Sequence, residues 1–195
     1  SPHPGGVLLA RRIAEAIQKL HGTLVPTDRT HTMADELHIL HERLPVVAQR
    51  IPACAKRIQR ILRACDQLAA TVAEPKPCGI HRDFYPAQVI VHHGHLHLID
   101  FDLYCMGDPA LDVGNFIGHI TEQSLRELGD PAALRDREEA MEERFVELAG
   151  KGVRPAVRAY GTLTLVRHIY LSTEFPERHP FAESLIQLCE KRLGL

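Results

Sequence analysis

The sequence predicts a mainly α-helical fold that carries one small β-hairpin. Apolar residues recur at helical spacing in the first 77 residues, and short β-branched runs alternate between residues 89 and 99. Helical spacing then returns after residue 108. The sequence has no internal repeats, so its 195 residues fit one domain or one large lobe of a two-lobed protein.

Three helices are predicted in the first 77 residues, where apolar side chains recur every three or four positions. Gly22 and the prolines within 74–77 would end the first and the third of these helices. The expected bounds are Val7–Leu20, from after Thr32 to before Pro45, and about Ala53–Val72.

A β-hairpin is predicted from Val89 to Ile99, because two strand-like runs flank a turn at His93 and Gly94. The chain becomes helical again behind Asp108-Pro109, since aspartate is favoured as a helix cap and proline at the first helical position. Three more helices are expected at about Pro131–Ala149, Pro155–Leu171 and His179–Leu193.

The composition argues against several classes of partner. A formal net charge of −2 disfavours nucleic acid, and aromatic residues at 5% without tryptophan disfavour a base-stacking surface. No apolar run approaches the ~20 residues that a membrane span needs. The five cysteines form no CxxC pair, so we expect free thiols in a reducing cytoplasm rather than a zinc or redox motif.

The candidate chemistry lies in residues 79–116, GIHRDFYPAQVIVHHGHLHLIDFDLYCMGDPALDVGNF. A turn centred near Gly94 would place Gln88 opposite Asp100, within one register position. An amide oxygen and a carboxylate would then meet at the base of the hairpin, and Mg²⁺ favours such hard oxygen donors. Asp83, on the loop that enters the same edge, would be a second carboxylate that points into the site without binding the metal.

Phosphoryl transfer requires this division of roles. One group must hold Mg²⁺ on the nucleotide phosphates, while another accepts the hydroxyl proton and aims the nucleophile. Kinases place these groups in H-R-D-x-x-x-x-N and D-F-G motifs. This sequence has His81-Arg82-Asp83, Gln88 in place of the asparagine, and Asp100-Phe101-Asp102 in place of D-F-G.

The motifs HRDFYPAQ, LIDFD and GDPALDVGNF, in this order, resemble the catalytic core of the aminoglycoside phosphotransferase family, which includes choline, homoserine and related small-metabolite kinases. LARRIAEAIQKLHG is similar to the first C-lobe helix of that family, so the resemblance covers essentially the whole chain. It implies the C-terminal lobe of a protein kinase-like fold, with ATP and Mg²⁺ as cofactors and a small-molecule hydroxyl as substrate. Residues 1–77 would be helical, 78–108 would form the catalytic loop and metal-binding hairpin, and 109–195 would form the substrate side.

By this resemblance, Asp83 would be the catalytic base, Asp100 the main Mg²⁺ ligand and Gln88 the metal-binding amide. Arg82 is the candidate for a contact with the nucleotide phosphates, with a surface ion pair as the alternative. These four residues would form the reacting and cofactor-binding part of the site.

Supporting roles are also implied for three residues. His81 belongs to the catalytic motif and, together with Asp112, would brace the catalytic loop, while Asp108 would cap the helix after the site. Two departures stand beside them. Gln88 is one methylene longer than asparagine, and Asp102 adds a negative charge near the metal, with either no effect or a preference for a cationic substrate.

The glycine-rich hairpin and strand lysine of a nucleotide-binding lobe do not occur in the first 78 residues. We therefore expect an N-terminal ATP-binding lobe to be absent from this chain and to be supplied in cis or by a completing partner. The chain alone would then have little or no kinase activity. A natural stand-alone lobe that acts as a binding or regulatory module is the alternative, and a metal-dependent hydrolase is a third possibility.

The acceptor itself stays open at this stage between an antibiotic, a choline-like compound, a sugar and an amino alcohol. Residues of the C-terminal helices that could line its site are Arg167, His168, Tyr170 and Glu174. No transition-metal site is expected from His93, His95 and His97, because the turn at Gly94 breaks their row. The charged run 135–144 is expected to be a solvated helix face.

Overall fold

The computed structural model describes residues 4–195. These residues form seven α-helices and five short strands, so the predicted mainly α-helical fold is confirmed. Every helix in this range is too short or too polar to cross a bilayer. In chain order the elements are α1 (Pro4–His21), β1 (Thr30–His31), α2 (Met33–Arg50), α3 (Ala55–Ala70), β2 (Cys78–Ile80), β3 (Val89–His92), β4 (His95–Leu98), β5 (Cys105–Gly107), α4 (Pro109–Leu128), α5 (Arg135–Ala149), α6 (Arg154–Glu174) and α7 (Ala182–Leu193).

Helices α4 and α6 form the central pair of the fold, and α2 and α7 pack on α6. The two central helices cross closely because glycines stand at their contact. A Cβ on Gly114 would lie 2.6 Å from the Cβ of Tyr160, and one on Gly118 would lie 2.7 Å from the Cβ of Thr164. Both distances are shorter than atoms tolerate, so any larger residue would force the helices apart.

The starts of α2 and α4 lie where the sequence predicted them. Thr32 caps α2, where its hydroxyl accepts the Asp35 N–H and the Asp35 carboxylate accepts the Thr32 N–H. Asp108 caps α4, and its Oδ1 accepts the Ala110 N–H at 2.9 Å. Both helices therefore begin at capping side chains that the local sequence supplies.

The predicted end of α2 before Pro45 is wrong, because the helix continues to Arg50. Proline lacks the N–H that would reach the His41 carbonyl. Pro45 lies on the exposed face of the helix, where water can solvate that carbonyl. Leu44 and Val47 are fully buried beside it, so burial of the apolar face outweighs the lost hydrogen bond.

Helices α5 and α7 begin later than predicted, because residues 131–134 form turns and residues 176–181 form a 3₁₀ helix. The charged run 135–144 is not only a solvated face. Glu138 in this run is buried and accepts the Thr121 hydroxyl hydrogen at 2.7 Å, so α5 is tied to α4 by a polar contact. Burial raises the pKa of the Glu138 carboxyl.

Two small sheets lie beside the helices. The predicted hairpin is strands β3 and β4, and it pairs Val89 with Leu98, one position from the expected register. His93 and Gly94 have φ of 47° and 75°, as a tight two-residue hairpin turn requires. The second sheet, in the order β1-β5-β2, was not predicted, because strands of two or three residues are too short to show alternation.

Candidate active site

Asp112 anchors the loop that carries the candidate base. Its Oδ1 accepts the Arg82 N–H at 2.8 Å, and its Oδ2 accepts the His81 N–H at 2.9 Å. The same Oδ2 accepts a hydrogen bond from His21 Nε2, at the end of α1, at 2.8 Å. The carboxylate is fully buried, so these three donors fix the loop relative to α1 and α4.

Asp112 and His81 were predicted to brace the loop, whereas His21 was not predicted to take part. The only sequence signal for His21 was its place at the end of the apolar stripe of α1, in a Leu-His pair. A histidine there is buried, and a buried polar group has to find a hydrogen-bond partner. The partner lies 91 positions along the chain, beyond what local patterns show.

His81 connects the loop to the segment before Asp100. Its Nε2 hydrogen-bonds the Ile99 carbonyl at 2.8 Å, and its ring packs against Phe84 and Phe101, with centroids 5.6 and 5.1 Å away. The side chain is fully buried. His81 therefore lies in the packing beneath the site, where it can position other groups.

Two non-glycine residues of the candidate site have left-handed backbone. Arg82 has φ of 71° and Asp100 has φ of 62°. Such conformations cost about 1–3 kcal/mol each, and they persist only where the surroundings enforce them. The strain is located beside Asp83 and at Asp100 itself, and a strained backbone of this kind often marks a functional site.

Gln88 and Asp100 meet at the base of the hairpin. Gln88 Nε2 donates to Asp100 Oδ2 at 3.2 Å, and the Gln88 carbonyl accepts the Ile99 N–H at 3.0 Å. Gln88 is buried, whereas Asp100 is exposed. Within residues 4–195 Asp100 accepts no other side-chain hydrogen bond, so its carboxylate keeps free lone pairs toward solvent.

These donors fit a magnesium ion that arrives with a nucleotide. Mg²⁺ keeps several waters and phosphate oxygens and takes only one or two protein oxygens. Asp100 offers an open carboxylate, and Gln88 offers an amide oxygen once its side-chain amide turns over. Among the described residues no group of three or more His, Cys, Asp or Glu side chains is arranged to bind a metal ion.

Asp83 lines a cavity of about 600 Å³. This volume lies within the range of small-molecule sites, about 300–1,000 Å³. The loop after Asp83 forms one wall, and α2, α4, α6 and the turn after α6 form the others. The charged side chains on the wall are Arg43, Asp83, Glu122, Arg126, Arg167 and Arg178.

Two histidines on the cavity wall are held neutral. The pKa of His168 is lowered to about 4, mainly by burial and in addition by the charges of Arg167 and Arg178. Burial also lowers the pKa of His119 strongly, with the same two arginines adding to the shift. The rings of His119 and His168 meet edge to face, with centroids 4.5 Å apart. Near neutral pH the positive charge of this wall therefore comes from arginines.

Arg82, the predicted phosphate contact, lies on the loop that Asp112 anchors. Its backbone N–H is used by Asp112, while the charge of its side chain acts on Asp35 at the start of α2. The pKa of the Asp35 carboxyl is lowered mainly by its hydrogen bonds to Thr32, and the charge of Arg82 adds a small share. A phosphate contact of Arg82 stays a prediction.

Of the four residues predicted to line the acceptor site, Arg167 and His168 line the cavity, whereas Tyr170 and Glu174 do not. The guanidinium of Arg43 lies over the ring of Tyr170, with the Arg43 Cζ 5.0 Å from the ring centroid. Glu174 forms an ion pair with Arg50 at the end of α2. The structure therefore places Glu174 in an ion pair outside the cavity wall.

The model of the phosphotransferase enzyme family matches residues 6–160 of the chain. No curated protein sequence matches the chain significantly. A choline/ethanolamine kinase family protein from Mesorhizobium loti superposes with a TM-score of 0.70 at 16% identity, over 98% of this chain and 63% of that one. A glucosamine kinase superposes with a TM-score of 0.63 at 19% identity, over 97% of this chain and 52% of that one.

A spectinomycin phosphotransferase, solved with ADP and spectinomycin, superposes with a TM-score of 0.60 at 12% identity, over 97% of this chain and 66% of that one. Identities this low show a shared fold, which here is the fold of small-molecule kinases. The chain spans 52–66% of the length of these three structures.

Proposed function

Because the chain belongs to the phosphotransferase enzyme family, we propose that it is the catalytic and acceptor-binding part of an enzyme that transfers the γ-phosphoryl group of ATP to a small-molecule hydroxyl. One observation carries this proposal. Asp83 lines a cavity of small-molecule size, on a loop whose backbone is fixed by the buried Asp112. A carboxylate held in this way can receive a proton from a bound hydroxyl.

In the proposed reaction the acceptor hydroxyl oxygen forms a bond to the γ-phosphorus, and the bond from that phosphorus to the bridging oxygen breaks. The hydroxyl proton moves to an Asp83 oxygen, and ADP leaves with the electron pair of the broken bond. Asp83 also orients the nucleophile, while Asp112 and His81 keep the loop in place.

Asp100 and Gln88 are the residues that would hold Mg²⁺, which supplies neutralisation of the phosphate charge when bound. The exposed Asp100 carboxylate and its proximity to Gln88 support this assignment. The Gln88 carbonyl accepts a hydrogen bond from the Ile99 N–H. This bond fixes the backbone from which the longer Gln88 side chain extends.

We further propose that the other wall of the nucleotide site comes from an N-terminal lobe, in cis or from a completing partner. Exposed apolar side chains next to Asp100 support a covering segment, since Ile99, Phe101 and Leu103 are 39–42% exposed. Residues 1–195 alone would then be nearly inactive. The free thiols of the described chain fit a cytoplasmic protein.

The test is ADP release by the protein expressed from its full native reading frame, with a panel of small alcohols. Asp83→Asn is expected to lower kcat by about 100-fold to 10,000-fold, because it removes the proton acceptor and keeps the shape. Asp28→Asn is the matched control, since Asp28 is exposed in the loop after α1 and far along the chain from the motif. An unchanged kcat in Asp83→Asn would refute the proposed base.

A non-catalytic binding lobe is the second candidate. The observation that favours it is the departure from the kinase motifs, where Gln88 replaces asparagine and Asp102 adds a second carboxylate. Calorimetry with ATP and Mg²⁺ separates the two readings. Loss of Mg²⁺-dependent nucleotide binding in Asp100→Asn supports the enzyme, whereas metal-independent binding that survives Asp100→Asn supports the non-catalytic lobe.

A further inference from the structure

The cavity beside Asp83 carries an excess of positive charge. Its wall has four arginines against two carboxylates, which leaves a formal charge of +2 with the histidines neutral. The whole chain has the opposite sign, with a net charge of −2. Positive charge is therefore concentrated at the place where an acceptor would bind, and fields focused in clefts attract ligands of the opposite sign.

Some of these charges are already balanced inside the protein. Arg126 Nε lies 3.0 Å from Glu122 Oε1, so the two charges largely cancel and the pair attracts a charged ligand only weakly. Arg167 donates to Asn115 Oδ1 at 2.6 Å and lies 3.5 Å from Glu36 Oε2, which shares its charge with α2. These contacts hold Arg126 and Arg167 in place but occupy part of their hydrogen-bonding capacity.

Arg43 and Arg178 differ from these two. Within residues 4–195 neither has a carboxylate at salt-bridge distance, although both line the cavity. Each stacks on an aromatic ring, Arg43 at 5.0 Å from the Tyr170 centroid and Arg178 at 5.3 Å from that of Phe175. A guanidinium stacked through its face keeps its N–H edge free, and this edge matches carboxylate and phosphate oxygens.

Asp102, the residue that suggested a cationic substrate, does not line this cavity. Glu174, a second carboxylate that was predicted near the acceptor, does not line the cavity either and is paired with Arg50. The remaining acidic groups on the wall are Asp83, which would face the reacting hydroxyl, and Glu122, which is paired. A cationic acceptor would therefore meet Arg43 and Arg178 without a free carboxylate to receive it.

We propose that the acceptor is an anionic hydroxyl compound whose carboxylate or phosphate is bound by Arg43 and Arg178, with Arg167 adding to the positive wall. The proposal rests on the proposed function of the Asp83 site. The hydroxyl would face Asp83 while the anionic group lies at the arginine side of the same cavity. This differs from the cationic or neutral acceptors that a choline-like or sugar kinase would bind.

The first test measures binding to the 195-residue chain by calorimetry at low salt, without nucleotide. The probes are glycerate, glycerol phosphate, glycerol and choline, which differ in charge but are all small hydroxyl compounds. We expect the two anions to bind and the neutral and cationic probes not to bind. Added sodium chloride should raise the Kd of both anions, because salt ions screen the attraction between partly exposed charges. Comparison of the Kd values of glycerate and glycerol phosphate shows whether the site prefers a carboxylate or a phosphate.

Variants locate the binding. Arg43→Gln and Arg178→Gln are each expected to raise the Kd of the anionic probe about tenfold, since each removes one charge-assisted hydrogen bond. Arg63→Gln is the matched control, because Arg63 is an exposed arginine of α3 that does not line the cavity. Arg178→Glu should reduce anion binding further and improve choline binding.

Each outcome decides one question. Failure of both anions to bind, an equal effect of Arg63→Gln, or phosphorylation of choline that Arg178→Gln leaves unchanged would overturn the anionic acceptor. The last result would leave the phosphotransferase function intact. Anion binding that depends on Arg43 and Arg178, in a full-length protein that transfers no phosphoryl group, would support the binding site and contradict the proposed function.

Discussion

Asp112 determines the position of the candidate base although it does not line the cavity. Its two oxygens take hydrogen bonds from the Arg82 and His81 backbone and from His21, so one buried side chain joins residues from three segments. The Arg82 N–H that this carboxylate accepts helps to hold the left-handed backbone of Arg82. The position of the Asp83 carboxylate therefore depends on a residue 29 positions later in the chain.

Asp112→Asn is expected to lower the free energy of unfolding by about 2–4 kcal/mol, because an amide NH₂ would face backbone N–H donors without an acceptor between them. Urea unfolding followed by circular dichroism measures the change. The exposed Asp28→Asn should stay within about 0.5 kcal/mol of the parent chain. Equal stability of Asp112→Asn and Asp28→Asn would show that the three hydrogen bonds do not hold the loop.

At the scale of elements, the hairpin shows what local sequence can predict. Its turn requires left-handed backbone, and the sequence places Gly94 there, so strands β3 and β4 were expected within one register position. The Arg12 side chain of α1 hydrogen-bonds the Gly94 carbonyl and tethers the turn. The strands β1, β2 and β5 were missed, because pairing between segments far apart in the chain leaves no local pattern.

Gly94→Ala and His93→Asn are expected to change the hairpin in opposite directions. A Cβ at Gly94 would meet nothing within 4 Å, so the cost of alanine, about 1 kcal/mol, is conformational. Asparagine tolerates left-handed backbone better than histidine and should stabilise the turn by a few tenths of a kcal/mol. Hydrogen exchange of the β3 and β4 amides measures both effects, and equal exchange in the two variants would contradict the turn assignment.

At the scale of the whole molecule, the cavity shows what local sequence could not predict. The candidate motif lies within residues 79–116, so Asp83, Gln88 and Asp100 could be predicted from spacing and resemblance. The positive wall combines Arg43 from α2 with Arg178 from the turn after α6, and only the packing of these elements brings them together. All five cysteine thiols are unpaired in the described chain.

Acid should destabilise the whole chain through the buried imidazoles. The pKa of His168 falls from an ordinary 6.5 to about 4 in the folded state, so the unfolded state binds the extra proton between these values. The contribution of neutral His168 to the free energy of unfolding is complete above about pH 6.5, and it is lost as the pH falls toward 4. Urea unfolding at pH 7 and pH 5 measures this loss.

His168→Gln should show a smaller loss between the two pH values, because glutamine does not titrate. A pH dependence identical to that of the parent chain would exclude His168 as a source. The exposed His38→Gln is a suitable control, because His38 lies on the surface of α2.

Through the contact between His21 and Asp112, the position of α1 affects the loop that carries Asp83. The helix has 18 residues, about 27 Å of rigid rod, and its last residue touches the carboxylate that fixes the catalytic loop. Arg12, near the middle of the rod, also contacts the turn of the hairpin that ends in Asp100. A sideways displacement of α1 would therefore move Asp83 and Asp100, the proposed proton acceptor and the proposed metal ligand, at the same time.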